Sequence, residues 1–262
     1  MAQVLKNLLT DYGYNLVALP KSDLQPLSLL FKKDDGLGSV DSTLLKLFTI
    51  ADAAPPVIRR DGAVPDIKGS ALVTFDAKAG INLLQSLLGH LGLGKASAKL
   101  DLNANHTVTI GYEQITEDKI DLLELDNYIS GSDPNRVQFN TFKDKLENSE
   151  LYVINAVLKS SVFSIKIDDK SGQKVNLDAT VKGMLDAKID VSHHDKNFMT
   201  IKHNGAPLVF AFKAQRIMYD RKKWWSSQEA RFRIVDQQGE VLKDESELPT
   251  DPLDLGLELA EF

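Results

Sequence analysis

The chain has 262 residues, 43% hydrophobic and 26% charged, the balance of a water-soluble protein with enough chain for one large domain or two small ones. It has no cysteine, which excludes a disulfide framework and thiol chemistry and suits a reducing compartment. The net charge of -6 is lopsided: Asp236 to Phe262 holds nine acids against the one base Lys243, a net -8, which leaves +2 on residues 1–235.

The first residues lack the apolar core and small-residue cleavage site of a secretory signal, and no window reaches eighteen apolar residues, so neither a leader nor a membrane-spanning helix is expected. Leu5, Leu8, Leu9 and Tyr12 fall at helical spacing and predict a short amphipathic helix ended by Gly13, of a kind that packs on its own domain or lies on a membrane. N-L-V-A-L-P from Asn15 reads as a strand. L-Q-P-L-S-L-L-F-K-K then leads into an exposed turn around Asp34 to Gly38, whose tip sets Phe31 beside Lys32 and Lys33, chemistry suited to an anionic membrane surface. After an apolar run from Leu44 to Ile50 comes a loop, A-A-P-P-V-I-R-R-D-G-A-V-P, and a strand from Ser70 to Phe75. Ile81, Leu83, Leu84, Leu87, Leu88 and Leu91 suit a helix despite Gly89 and Gly92. This strand, helix, strand order fits a hairpin whose long connection folds back on the sheet.

From Ala98 to Tyr112 the residues Leu100, Leu102, Ala104, Val108, Ile110 and Tyr112 alternate with Asp101, Asn103, Asn105, Thr107, Thr109 and Gly111. Helices follow at Ile120 to Ile129 and Phe139 to Leu146, then a strand run from Leu151 to Ile167, as one strand or two. From Val175 to Val191 the alternation returns: Val175, Leu177, Ala179, Val181, Gly183, Leu185, Ala187, Ile189 and Val191 share one parity, and of the other only Met184 is apolar. Strands in soluble domains run roughly 3 to 10 residues, and this one drawn straight would span about 55 Å. Either it bends, at Gly183, or its full length serves another state. Such alternation is the ordinary mark of a soluble sheet with one wet face, and it is also what a membrane barrel needs, with lipid on one side and water on the other.

His193, His194, Asp195 and His203 make a poor metal cluster, since neighbours on a strand face opposite ways and a turn would hold such residues anyway. Nucleophile elbows, phosphate-cradling glycine loops and H-E-x-x-H are absent, so no enzyme, cofactor or metal is expected. Residues 213–233 gather Lys213, Arg216, Arg221, Lys222, Lys223, Arg231 and Arg233 around Trp224 and Trp225, which suits a lipid headgroup region, or nucleic acid, or a core tryptophan pair with solvated charges. At the end Leu253, Leu255, Leu257, Leu259 and Phe262 alternate with acids and glycine, giving the tail something to bury. The stretch before it, around Leu242, Lys243, Asp244 and Leu248, is open enough for a protease.

Three segments carry a resemblance. Leu24 to Lys33 is similar to the end of the first strand and the basic loop of the gasdermin pore-forming domain, and Leu151 to Lys159 and Phe198 to Ile217 resemble two further strands of it, in order. The tail is similar in size to the short inhibitory peptide of the bacterial members; fungal gasdermin-like cell-death proteins are also short. The resemblance implies an α+β fold, a twisted and mostly antiparallel central sheet with short peripheral helices. It also implies proteolytic activation in anti-phage defence, oligomerisation in the inner membrane, and two regions, about 69–115 and 161–213, that become membrane hairpins. One departure is that many bacterial members carry a palmitoylated cysteine near the N-terminus, and this chain has none.

The expectation is therefore a pore-forming domain at 1–235, an exposed linker at 236–244 and an autoinhibitory peptide at 245–262. Its partners would be an activating protease, caspase-like or other, anionic lipids, and further copies once cut; intact it would be a cytoplasmic monomer that binds no nucleic acid. The alternative is a soluble module that cradles a lipid or small ligand with the tail as a lid.

Overall fold

The computed structural model describes residues 13–33, 36–49, 54–64, 71–75, 84, 87–89, 106–134, 136–169, 189–195, 198–219 and 232–235. Among these the chain forms β1 (Asn15–Lys21), β2 (Ser28–Lys33), β3 (Gly36–Thr43), α1 (Leu44–Leu47), β4 (Phe48–Thr49), β5 (Arg59–Ala63), β6 (Ala71–Phe75), β7 (His106–Glu113) and β8 (Thr116–Lys119). There follow α2 (Leu122–Ser130), β9 (Asp133–Pro134), α3 (Arg136–Glu147), β10 (Leu151–Ser160), β11 (Val162–Asp169), β12 (Ile189–Asp195), β13 (Phe198–His203), β14 (Leu208–Tyr219) and β15 (Phe232–Val235).

The architecture is α+β and the described ladders are antiparallel, but the strands divide into two main sheets rather than one. The larger has the path β1-β14-β10-β2-β3, with β15 on β14 and β5-β8 reaching β10; the smaller runs β12-β13-β11-β7-β6. Strand β10 sits at the centre of the larger sheet because its sequence, L-Y-V-I-N-A-V-L-K-S, has almost nothing to offer water, and only Lys159 escapes full burial. On one face Leu29, Leu151, Val153 and Ile217 meet Leu44, Phe48, Leu125, Ile129, Leu146 and Phe232; on the other Leu30, Tyr152, Ile154, Val157, Val209 and Phe212 cluster. Phe48 and Phe232 close the first core edge to face, centroids 4.9 Å apart.

Helix α2 starts at Leu122 because Asp121 caps it, its carboxylate accepting from Leu123 N at 2.9 Å and Glu124 N at 3.3 Å. Ile120 lies between β8 and the helix, and its N–H donates to Asn155 O. Leu125, Tyr128 and Ile129, at helical spacing, face the core, and the Tyr128 hydroxyl donates to Phe48 O. Helix α3 is longer at both ends than its apolar spacing suggests. The run Leu151 to Ile167 is two strands, divided at Ser161.

Sequence reading went astray at several places. Phe31, Lys32 and Lys33 lie in the β2 ladder, Phe31 opposite Gly38 and Lys33 opposite Gly36, the last pair before residues 34 and 35. Phe31 packs against the core with the Lys145 ammonium 5.7 Å from its ring centroid, while Lys32 is exposed. His193, His194 and Asp195 belong to β12 rather than a turn, and among the described residues no metal-holding group forms. R-R-D-G-A and T-E-D-K, too polar to read as strands, are β5 and β8.

Burial pushes the phenols of Tyr14, Tyr128 and Tyr152 above their ordinary value; the Glu117 carboxylate that accepts from Tyr14 adds to its shift, and at Tyr152 Arg216 opposes and Glu150 assists. Above about pH 10 these phenols ionise less readily in the fold than in the unfolded chain, so stability falls with rising pH. Urea midpoints should drop from pH 9 to 11, and Tyr14→Phe should flatten that slope.

Candidate functional site

The smaller sheet is built wholly from strands inside 69–115 (β6, β7) and 161–213 (β11, β12, β13). Its strand β7 keeps the alternation read from the sequence: Val108 and Ile110 are fully buried, Thr107 and Thr109 half-buried. Leu84, Leu87 and Leu88, helical and fully buried, lie in the connection between β6 and β7, which pair as a hairpin.

The two sheets meet at a narrow junction. Only Gln114 and Ile115 separate β7 from β8, and only Ser161 separates β10 from β11. Gln114 turns this corner in the left-handed region, φ 51°, a conformation a residue with a side chain adopts at a cost. Ser160, buried, ties the corner: its hydroxyl accepts from Val162 N at 3.0 Å and lies 2.5 Å from Glu113 O and 2.8 Å from Val162 O. Ser161 O accepts from His203 N at 2.8 Å.

Across the larger sheet, a row of residues bounds the smaller one. Ala63 faces Thr116, Thr116 faces Lys159, and Lys159 faces Val209, giving the order β5-β8-β10-β14. Across the smaller sheet, Ala71 faces Tyr112, Tyr112 faces Phe163, and Phe163 faces Ile201, giving β6-β7-β11-β13. Each strand of the second row is joined along the chain to its counterpart in the first. Four neighbouring antiparallel strands therefore pass from one sheet to the other without changing places.

A ring contact also joins the two sheets. Tyr112 of β7 stacks on Phe210 of β14, centroids 4.0 Å apart and rings 14° from parallel, and meets Phe163 edge to face. Phe210→Ala should cost about 3–5 kcal/mol, read as a lowered urea midpoint. At the row itself Asp118, 5% exposed at its side chain, binds Lys159 Nζ at 2.8 Å and Asp61 N at 2.8 Å, with Arg60 Nη1 3.6 Å away; Lys159 also reaches Asp61 Oδ1 at 3.0 Å. Burial works against the Lys159 charge, but the hydrogen bonds and charges of Asp118 and Asp61 outweigh it and hold its pKa above the ordinary lysine value.

The model of the Bacterial Gasdermin Family matches residues 17–228. The chain belongs to the bacterial gasdermin family. It is 46% identical to a gasdermin of Gillisia limnaea over 258 residues, 97% of each chain, and 32% identical to a gasdermin of an unknown prokaryotic organism, again over 97% of each. The solved structure of a bacterial gasdermin from Bradyrhizobium tropiciagri superposes with a TM-score of 0.55 at 14% identity, over 88% of this chain and 90% of that one, so the fold is the gasdermin fold. The bacterial gasdermin family is known as pore-forming.

Within this gasdermin fold, the residues singled out from the sequence are scattered. Val108 and Ile110 lie on β7, and Ile189 and Val191 on β12. Lys213 and Arg216 lie on β14 and Arg233 on β15, so the basic run is broken up by strands; Lys213 sits over the Tyr14 ring at 4.4 Å, and Arg233 is exposed. Leu5, Leu8, Leu9, Leu100, Leu102, Val175, Leu177, Val181, Leu185, Trp224, Trp225, Leu242, Lys243, Asp244, Leu248, Leu253, Leu255, Leu257, Leu259 and Phe262 fall outside the described residues. Sequence reading missed Asp61, Asp118, Lys159 and Ser160. The one available signal was Lys159 itself, a lone charge closing eight residues of otherwise buried strand, directly before two serines.

Proposed function

We propose that the intact chain is the self-restrained form of a pore, and that cutting in or near 236–244 removes the 245–262 peptide and lets copies assemble into a β-barrel in the inner membrane. The observation that carries this reading is the shared strand order of the two sheets. In a barrel built from segments 69–115 and 161–213, the strands would emerge from β5, β8, β10 and β14 as neighbours already in sequence, so lengthening them demands no rethreading. The alternating residues from Ala98 to Tyr112 and from Val175 to Val191 supply a lipid-facing and a water-facing side, and closure of the ring satisfies the backbone edges.

The tail restrains by proximity: attached, it is present at an effective concentration of order millimolar, and cutting dilutes it away. Its net -6 complements the +2 of residues 1–235, and its leucines supply apolar cover. Leu5, Leu8, Leu9, Phe31, Lys32, Lys33, Trp224 and Trp225 are the candidate contacts to anionic lipid; Phe31, held in the core here, would have to be released first. The outcome in the cell is death on activation by an associated protease, in the service of defence against phage. Electron microscopy of the trimmed protein on anionic liposomes tests the assembly: ring-shaped particles are expected, and protein left entirely in the supernatant would end this reading.

A further inference from the structure

The Asp118–Lys159 pair spans the two hairpin segments at their bases. Asp118 lies on β8, soon after β7 leaves the smaller sheet, Lys159 just before β11 enters it, and Asp61 in the middle of β5, the strand before β6. Three of the four strands in the row are thus tied by one charge cluster, nearly buried at Asp118 and Lys159 and exposed at Asp61, all outside 69–115 and 161–213. We infer that this cluster is a register clamp for the pore: Asp118 and Lys159 are positioning residues that fix how the strands leaving β8 and β10 line up as they lengthen. The inference rests on the pore reading above.

Three facts support it. A slip of two residues between neighbouring strands keeps every side chain on its proper face, so the apolar alternation of the hairpins cannot by itself forbid it. The ladder at the row gives little discrimination, because T-E-D-K on β8 offers no apolar pattern to match. A buried ion pair adds little net stability over an apolar replacement, and its best-attested use is to specify register. Here Asp118 and Lys159 sit diagonally across the β8–β10 ladder, where Thr116 faces Lys159 and Asp118 faces Val157; a two-residue shift in one sense would part them, the opposite shift would set them face to face, and the pair therefore bars slippage in the first sense.

The test uses the full chain, cut after purification and added to planar bilayers and dye-loaded vesicles of phosphatidylethanolamine and phosphatidylglycerol. Wild-type protein should give one dominant unit conductance. Asp118→Asn with Lys159→Met, which leaves no buried charge stranded, should give several conductance levels and about tenfold slower leakage. Lys159→Arg, which keeps both carboxylate contacts, should restore the single level. Thermal unfolding of the uncut double variant reports whether it folds; failure to fold would assign the pair to folding and overturn the clamp. If cut wild type conducts and the double variant matches it in level and rate, the clamp alone is overturned. If cut wild type conducts nothing, the pore reading falls and the clamp with it.

Discussion

Vesicles of bacterial-type lipid loaded with a small dye should stay sealed with the intact chain and empty within minutes once it is cut before residue 245. The expected contrast is large because two effects multiply. Removing a tethered inhibitor at millimolar effective concentration changes the fraction of competent subunits by orders of magnitude when the free peptide is micromolar or less. Ring assembly then compounds that fraction over every subunit. The tail must act in trans as well: synthetic peptide 245–262 at millimolar concentration should slow leakage by the cut protein. Equal leakage by intact and cut protein would remove the tail from the mechanism.

The second large effect concerns parity along Val175 to Val191. Leu185→Asp places a charge on the side assigned to lipid, at a cost per strand below the about 2–4 kcal/mol of an arginine near mid-bilayer but repeated in every subunit, and should slow leakage by more than about tenfold. Lys182→Asp, on the opposite parity, changes a charge where water is expected and should leave the rate within about twofold. Both uncut variants must first give a cooperative thermal transition like the wild type. Equal loss in the two variants would mean that these residues do not alternate between lipid and water.

What could be read from the chain followed from how local its causes were. Strand β10 and helix α2 were legible because an unbroken apolar run and a capped helical spacing declare themselves within a few residues. The apolar side of β7 was legible for the same reason. Strands β5 and β8 were not, since R-R-D-G-A and T-E-D-K become strands only where Asp61, Asp118 and Lys159 meet across distant parts of the chain. The partial burial of Phe31 was not legible either, since the core and Lys145 of α3 that meet its ring lie far along the chain. Strand β15 went unnoticed among basic residues, although Phe232 and Ile234 are buried and the Ile234 N–H reaches Asp126.

Strand β12 lies against the outer side of β13, beyond the four strands that continue into the larger sheet. To form one straight strand with β13, β12 must peel off sideways, swing round and fall into line with it. Until it does, the flank to which an adjoining protomer would add its β6 is already taken. Polymerisation would therefore be blocked by the monomer's own spare ribbon, and each newcomer would be accepted only after its host had straightened.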